Sequence, residues 1–249
     1  MIKKQKKLPA RIKWSHIRRL YEALEPVLKA SPIKLENPEG GRVLALAPHI
    51  DDDVIGCGGT LAKHAQAGDE VFAVYFADCT RQRIAEAREA ARVIGIGRLE
   101  FFDYPSKTLL RQKEQKDAAR RLRDILDEYR PQTVYLPSLF DRHNDHLALN
   151  HILAGLHGGG RYGFTVCAYE VWTPLVPNLV IDISSTFAQK ARALAEYKSQ
   201  LVSNDWVEAA ASLNRYRAIV SGAGRYAEGF MRHSMDKYFE LWKRVYSGK

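Results

Sequence analysis

The stretch Arg42-Val-Leu-Ala-Leu-Ala-Pro-His-Ile-Asp-Asp-Asp-Val-Ile-Gly-Cys-Gly-Gly-Thr-Leu61 decides how the chain is read. Val43 to Ala47 is an unbroken apolar run, the pattern of a short strand buried on both faces. A loop with three consecutive aspartates follows it. Next, a helix is predicted from about Val54 to Ala67, stopped by Gly68, which tolerates the left-handed conformation common after a helix C-terminus. Strand, acidic loop and helix form the opening unit of an α/β fold.

The same alternation continues downstream. Val71 to Ala77 and Leu99 to Phe102 read as strands, with a helix from Ile84 to Ile94 between them. Apolar residues at 118, 119, 122, 125, 126 and 129 make one helical stripe, closed by Pro131. Thr133 to Leu136 is the fourth strand, and Leu147 to Leu156 the helix beyond it. Strands return at Thr165 to Val171 and Leu179 to Ile183. From Ser184 onward the chain reads as mostly helical, His233 included, with a turn at Gly222-Ala-Gly224-Arg225. The prediction is a Rossmann-like, doubly wound, mostly parallel sheet with helices on both faces and helical additions at both ends. One such domain is placed at 42–249. Residues 1–41 are expected to be a basic tail and an amphipathic helix bearing Trp14, Ile17, Leu20, Tyr21, Leu24 and Val27.

In sheets of this kind ligands bind beyond the carboxyl ends of the strands. Two loops there are unusually polar: Pro48-His49-Ile50-Asp51-Asp52-Asp53 after the first strand, and Asp141-Arg142-His143-Asn144-Asp145-His146 after the fourth. Three adjacent aspartates beside a buried strand repel one another and resist desolvation, so a bound cation is the simplest remedy. Histidine and carboxylate without thiolate favour zinc or a similar divalent ion. Each loop also has a plain reading. Acidic residues suit a helix N-terminus, and the second loop could be a polar cap. Both loops lying at strand ends by accident is the weaker explanation.

Composition narrows the field. The chain has 249 residues, 46% hydrophobic and 27% charged, which is globular in character and long enough to fold without disulfides. Cys57, Cys79 and Cys167 are scattered, so a cysteine zinc site is excluded and a reduced, cytoplasmic protein is expected. No apolar run is long enough for a membrane span. Much of the net charge of +9 lies in the N-terminal arm, which has no acidic residue before Glu22. That arm reads as a solvated tail, and nucleic acid is not an expected partner. A homo-oligomer is compatible with the sequence. Gly56-Cys-Gly-Gly59 does not read as a dinucleotide site, because aspartates stand where the pyrophosphate turn belongs. Close helix–sheet packing explains those glycines. Trp172 is a candidate to stack on a sugar; a packed aromatic beside a solvated Glu170 is the other reading. His64, His151, His157 and His233 are assigned no role.

With both motifs in view, the chain resembles the PIG-L/LmbE-like family of zinc-dependent N-acetylglucosaminyl deacetylases. The family has a (P/A)HPDDE signature after its first strand and HxDH after a later one. Here the matching residues are Pro48-His49-Ile50-Asp51-Asp52-Asp53 and His143-Asn144-Asp145-His146. The resemblance extends through Gly56 to Leu61 and Arg83 to Gly95, and covers roughly Val43 to Ile183. It implies that His49, Asp52 and His146 hold one zinc or another divalent ion. It further implies that Asp51 is the general base, that His143 stabilises the oxyanion with Asp145 holding its ring, and that Arg83 helps bind the sugar. An imidazolium at His143, favoured by Asp145, would suit that oxyanion. The substrate implied is a small N-acetylated amino sugar or its conjugate, with acetate released. A different mononuclear zinc amidohydrolase and a non-catalytic sugar-binding protein are the alternatives. Two-metal phosphoesterases need more bridging carboxylates than these loops supply. Three positions depart from the pattern: Ile50 replaces proline, Asp53 replaces glutamate, and Ser106 replaces an aspartate that contacts substrate.

Overall fold

The structure is a computed structural model in which residues 31–158 and 162–246 are described. The expected tail and the helical stripe from Trp14 to Val27 lie outside them. In chain order the elements are β1 (Ile33–Leu35), β2 (Arg42–Ala47), α1 (Asp52–Gln66), β3 (Glu70–Ala77), α2 (Arg81–Ile94), β4 (Arg98–Tyr104), α3 (Gln112–Tyr129) and β5 (Thr133–Pro137). They continue with α4 (Asn144–Gly155), β6 (Thr165–Tyr169), β7 (Leu179–Asp182), α5 (Phe187–Leu194), α6 (Lys198–Leu201), α7 (Trp206–Ser221), β8 (Ala227–Ser234) and α8 (Met235–Tyr246).

Among the described residues the strands form one eight-stranded sheet in the order β1-β7-β8-β6-β5-β2-β3-β4. Every pairing is parallel except those of β8, which runs antiparallel to both β6 and β7. The chain steps outward from β2 through β3 to β4, then crosses back to β5 and steps the other way. The order therefore reverses between β2 and β5, and a crevice opens above their carboxyl ends.

Side chains alternate across the sheet and both faces are buried. Val43, Ala45 and Ala47 of β2 join Tyr75, Tyr135, Leu61, Ala90 and Leu194 on the face covered by α1, α2, α5 and α7. Leu44 and Leu46 join Phe72, Leu122, Leu126, Leu149 and Tyr238 on the face covered by α3, α4 and α8. The doubly wound architecture predicted from the alternation is the one present. No described helix is long and apolar enough to cross a membrane.

Two elements depart from the reading of the sequence. Ile33–Leu35 is an added edge strand on β7, inside the stretch assigned to the extension. More consequentially, the part from Ser184 is not helical throughout. Ala227–Ser234 forms β8, with Gly229 opposite Val180 and Met231 opposite Ala168. His233 therefore lies on a strand, opposite Val166, and not on a helix. The first four residues of β8 are buried, so its sequence Ala-Glu-Gly-Phe lacks the polar–apolar alternation that marks a half-exposed strand.

Candidate active site

The crevice at the β2–β5 reversal brings the two polar loops together. The β2 loop is braced by the Ala77 amide, which donates to the Pro48 carbonyl at 2.9 Å. Asp52 and Asp53 already belong to the first turn of α1, two residues ahead of the predicted start. Their position suits the helix dipole. That reading alone is insufficient, because Asp51, Asp52 and Asp53 are only 7%, 2% and 0% exposed. Asp51, at the N-cap, makes no side-chain capping bond. Across the crevice His143 is the N-cap of α4, its Nδ1 accepting from the Asp145 amide at 3.2 Å. The capping reading of that loop is correct, and the capping residue also lines the cleft.

Asp52 Oδ2 is the centre of the arrangement. It lies 3.1 Å from His49 Nδ1 and 3.2 Å from His146 Nε2, and accepts from the His49 amide at 2.9 Å. His146 is fully buried, yet neither of its ring nitrogens has a hydrogen-bond partner. Its Nδ1 approaches Asp141 Oδ2 at 3.4 Å. A buried imidazole aimed at a carboxylate without a hydrogen bond fits a divalent cation held by two histidines and one carboxylate. Nitrogens of His49, His143 and His146 also lie within 4.8 Å of one another, so a three-histidine set shares two of those donors. Behind them Asn150 donates to the His146 carbonyl at 2.7 Å and to Pro137 O at 3.1 Å, and accepts from the Tyr238 hydroxyl.

The charges divide the aspartates. Burial alone would raise Asp52, but His146 and His49 overcome it and hold the carboxyl well below its usual range. Asp51 is pushed up to about 7, by burial first and then by the Asp52 charge, against the pull of His49 and Arg83. Asp53, which accepts from the Tyr75 hydroxyl at 3.0 Å, is likewise raised to about 7 by burial. Burial would lower both histidines, yet His49 is raised to about 10 by Asp52 and Asp145, and His146 to about 9 by Asp52 and Asp141.

One implied contact is corrected. The Asp145 carboxylate does not hold the His143 ring. Its Oδ2 meets His49 Nε2 at 3.2 Å and accepts from the Lys107 amide at 3.2 Å. Asp145 holds His143 through its backbone N–H instead. A ring nitrogen that accepts an N–H bond carries no proton, so in this arrangement His143 is neutral, not an imidazolium. Burial and then the charges on His146 and His49 lower its pKa, outweighing Asp145 and Asp52.

Over these groups lies a cleft of about 180 Å³, walled by Asp51, Asp78, Arg83, Trp172, Gln200 and Trp206 among others. Arg83 is held by the Asp78 carboxylate and by Gln200 Oε1 at 3.3 Å. Trp172 lies 6.3 Å from the His143 ring at a 20° interplanar angle, and Trp206 meets it edge-on at 5.0 Å. Both residues expected at a sugar pocket thus line the same cleft as the charged groups.

The sequence profile of the PIG-L family, GlcNAc-PI de-N-acetylase, matches residues 44–156. A diacetylchitobiose deacetylase of Thermococcus kodakarensis is 25% identical over 243 residues, 84% of this chain and 90% of that protein. The uncharacterized deacetylase YaiS of Escherichia coli K12 is 30% identical over 194 residues, 71% of this chain and 100% of that protein. This chain belongs to the PIG-L family. Among solved structures, the N,N'-diacetylchitobiose deacetylase of Pyrococcus horikoshii superposes with a TM-score of 0.67 at 22% identity, covering 93% of this chain and 97% of that one.

Within this PIG-L chain the departures from the family pattern can now be located. Ile50 is buried and belongs to the core cluster on the α1 face of the sheet. Asp53 leaves its Oδ1 without a partner. Ser106 is exposed and does not line the cleft. Glu170 is neither in the cleft nor solvated. It is buried and forms a two-pronged ion pair with Arg217, at 2.8 and 2.6 Å. His64 is a core residue bridging Asp69 at 2.7 Å and the Tyr135 hydroxyl at 3.0 Å. Asp78, Gln200 and Trp206 escaped the sequence reading. Asp78 follows β3 directly, so the strand-end rule could have flagged it; Gln200 and Trp206 carry no motif.

Proposed function

We propose that this PIG-L protein is a metal-dependent hydrolase that removes the acetyl group from an N-acetylglucosamine-type amino sugar or its conjugate. The observation that carries the reading is Asp52 Oδ2 placed 3.1 and 3.2 Å from nitrogens of His49 and His146, beside the uncapped Asp51 carboxylate in the cleft. The deacetylase names of the two relatives support the same reaction class. His49, Asp52 and His146 would hold one zinc or a similar divalent ion. Bound there, such an ion supplies Lewis acidity, lowering the pKa of a water and polarising an amide carbonyl.

The chain's own groups then divide the work. Asp51 takes a proton from the attacking water and delivers it to the leaving amine nitrogen. Water and amide thus become acetate and a protonated amine: Asp51 carries one proton of the water to the nitrogen, and the second leaves the nascent acetic acid for the amine or for solvent. His143, whose Nδ1 is committed to the Asp145 amide, has Nε2–H free to donate to the oxygen on which negative charge develops. A neutral imidazole suffices for that donation. Trp172 offers an aromatic face beside the reacting centre, and Arg83 with Gln200 offers polar groups for sugar hydroxyls.

The test is acetate release from a panel of N-acetylglucosaminyl compounds by zinc-replete protein. Hydrolysis of at least one at well above the uncatalysed rate is expected. Release from acylated amines without a sugar, and from no amino sugar, would replace the substrate class with that of another amidohydrolase. Binding of the sugars with no acetate released would leave a non-catalytic sugar-binding protein.

A further inference from the structure

Helix α1, which carries Asp52, is broken. Cys57 has φ −142° and ψ 17°, outside the helical region, so a first turn is separated from the remainder of the helix. A break in a buried helix frees backbone donors and acceptors that must be satisfied. Here a buried ion pair takes them. The amides of Gly59 and Thr60 donate to Glu228 Oε1 and Oε2 at 2.9 and 2.8 Å. The Ile55 carbonyl, which an unbroken helix would pair with the Gly59 amide, accepts from Lys190 Nζ at 2.8 Å. Lys190 Nζ also reaches Glu228 Oε1 at 2.7 Å and Asn214 Oδ1 at 3.0 Å.

The network is buried. Lys190 and Glu228 are 0% exposed and Asn214 3%. All three Lys190 donors have acceptors, and each Glu228 oxygen has a donor. The signs match the geometry: a carboxylate caps the N-terminus of the second helical segment, and an ammonium caps the carbonyl end of the first. A buried pair that were only a stability device could be replaced by apolar residues at little cost. This one is inserted where the helix parts, one turn beyond Asp52.

We infer that the Lys190–Glu228 pair, with Asn214, is a positioning device that fixes the break in α1 and so aims the turn carrying Asp51 and Asp52 into the crevice. The inference rests on the metal-site reading of the preceding subsection. It explains why three C-terminal elements, α5, α7 and β8, converge beneath the first motif of the chain.

The experiment measures zinc affinity by competition with a chromophoric chelator, together with the visible spectrum of the cobalt(II)-substituted protein. The variants are Glu228→Gln and Lys190→Met/Glu228→Gln; the second leaves no unpaired charge and so protects folding. Arg217→Met/Glu170→Gln removes another buried pair, whose hydrogen bonds go to each other and to Leu175 and not to the backbone of α1, and serves as control. Expected are zinc affinities roughly 10- to 100-fold weaker and an altered cobalt spectrum in the Glu228 variants, the size seen when an outer partner of a metal ligand is lost. The control should keep its zinc affinity within about threefold and its cobalt spectrum unchanged, whatever its change in stability. Folded Glu228 variants that hold zinc as tightly as wild type would overturn the inference and leave the metal site standing. Equal loss in the control would overturn it too, by reducing the pair to general stability. A wild type that binds no divalent ion would overturn the metal site and this inference together.

Discussion

Asp51 and Asp52 are neighbours in the chain and similarly buried, yet their surroundings push them apart. Asp52 is flanked by two imidazoles and held low, whereas Asp51 faces the cleft with burial and the Asp52 charge holding it near 7. A pair of titratable groups separated in this way marks two different tasks. Asp51→Asn should therefore retain zinc and lower turnover by roughly 10²- to 10⁴-fold; zinc content and acetate release measured on one preparation check this. Loss of zinc in step with activity would make Asp51 a ligand. His143 poses a second question, because its nitrogens lie as close to His49 and His146 as a ligand's would. As an oxyanion donor it should be dispensable for zinc, and His143→Ala should keep the metal while losing roughly 10²- to 10³-fold in turnover. A His143→Ala protein depleted of zinc would favour the three-histidine set.

At the scale of elements, the glycines of α1 show how closely the site is seated on the sheet. A Cβ at Gly56 would fall on the ring of Tyr169, and one at Gly59 would lie 2.7 Å from Ile183 Cδ1. Tyr169 is itself anchored by its hydroxyl on the Leu46 carbonyl at 2.9 Å. Gly59→Ala should cost about 1–3 kcal/mol by overpacking, read as a lower urea midpoint with the slope unchanged. A midpoint equal to wild type would mean that Ile183 yields freely. The packing role of these glycines was legible in the sequence because aspartates occupied the place of a pyrophosphate turn. The two polar loops were legible for a related reason: charge at the end of an apolar strand is costly without a purpose. Glu228 and Lys190 were not legible. Each is an ordinary charged residue in the sequence, and only burial against the broken helix gives it meaning. Trp206 and Gln200 were hidden similarly, since a cleft wall made by tertiary packing leaves no periodicity behind.

For the molecule as a whole, the crevice joins two halves of one sheet. His49 and Asp52 follow β2, whose chain leads on to β3 and β4; His146 follows β5, whose chain leads on to β6. A divalent ion bound by all three would tie these halves across the reversal, and the unfolded chain lacks the arrangement. Binding to the folded state alone raises stability by about 2.7 kcal/mol at a free ion concentration of 100 Kd. For a domain of this size each kcal/mol moves the midpoint by roughly 2–4 °C, so loading stripped protein with zinc should raise Tm by about 5–11 °C. The sign follows from charge as well: without the ion the buried aspartates and histidines must balance one another, and a cation relieves the repulsion among Asp51, Asp52 and Asp53. His146→Ala removes a ligand from the β5 side and should abolish most of the zinc-dependent rise. Scanning calorimetry of stripped and loaded forms of both proteins, with a chelator reversal, decides the matter. A wild-type Tm indifferent to zinc under saturating conditions, or a His146→Ala protein stabilised as much as wild type, would show that no ion joins the two loops.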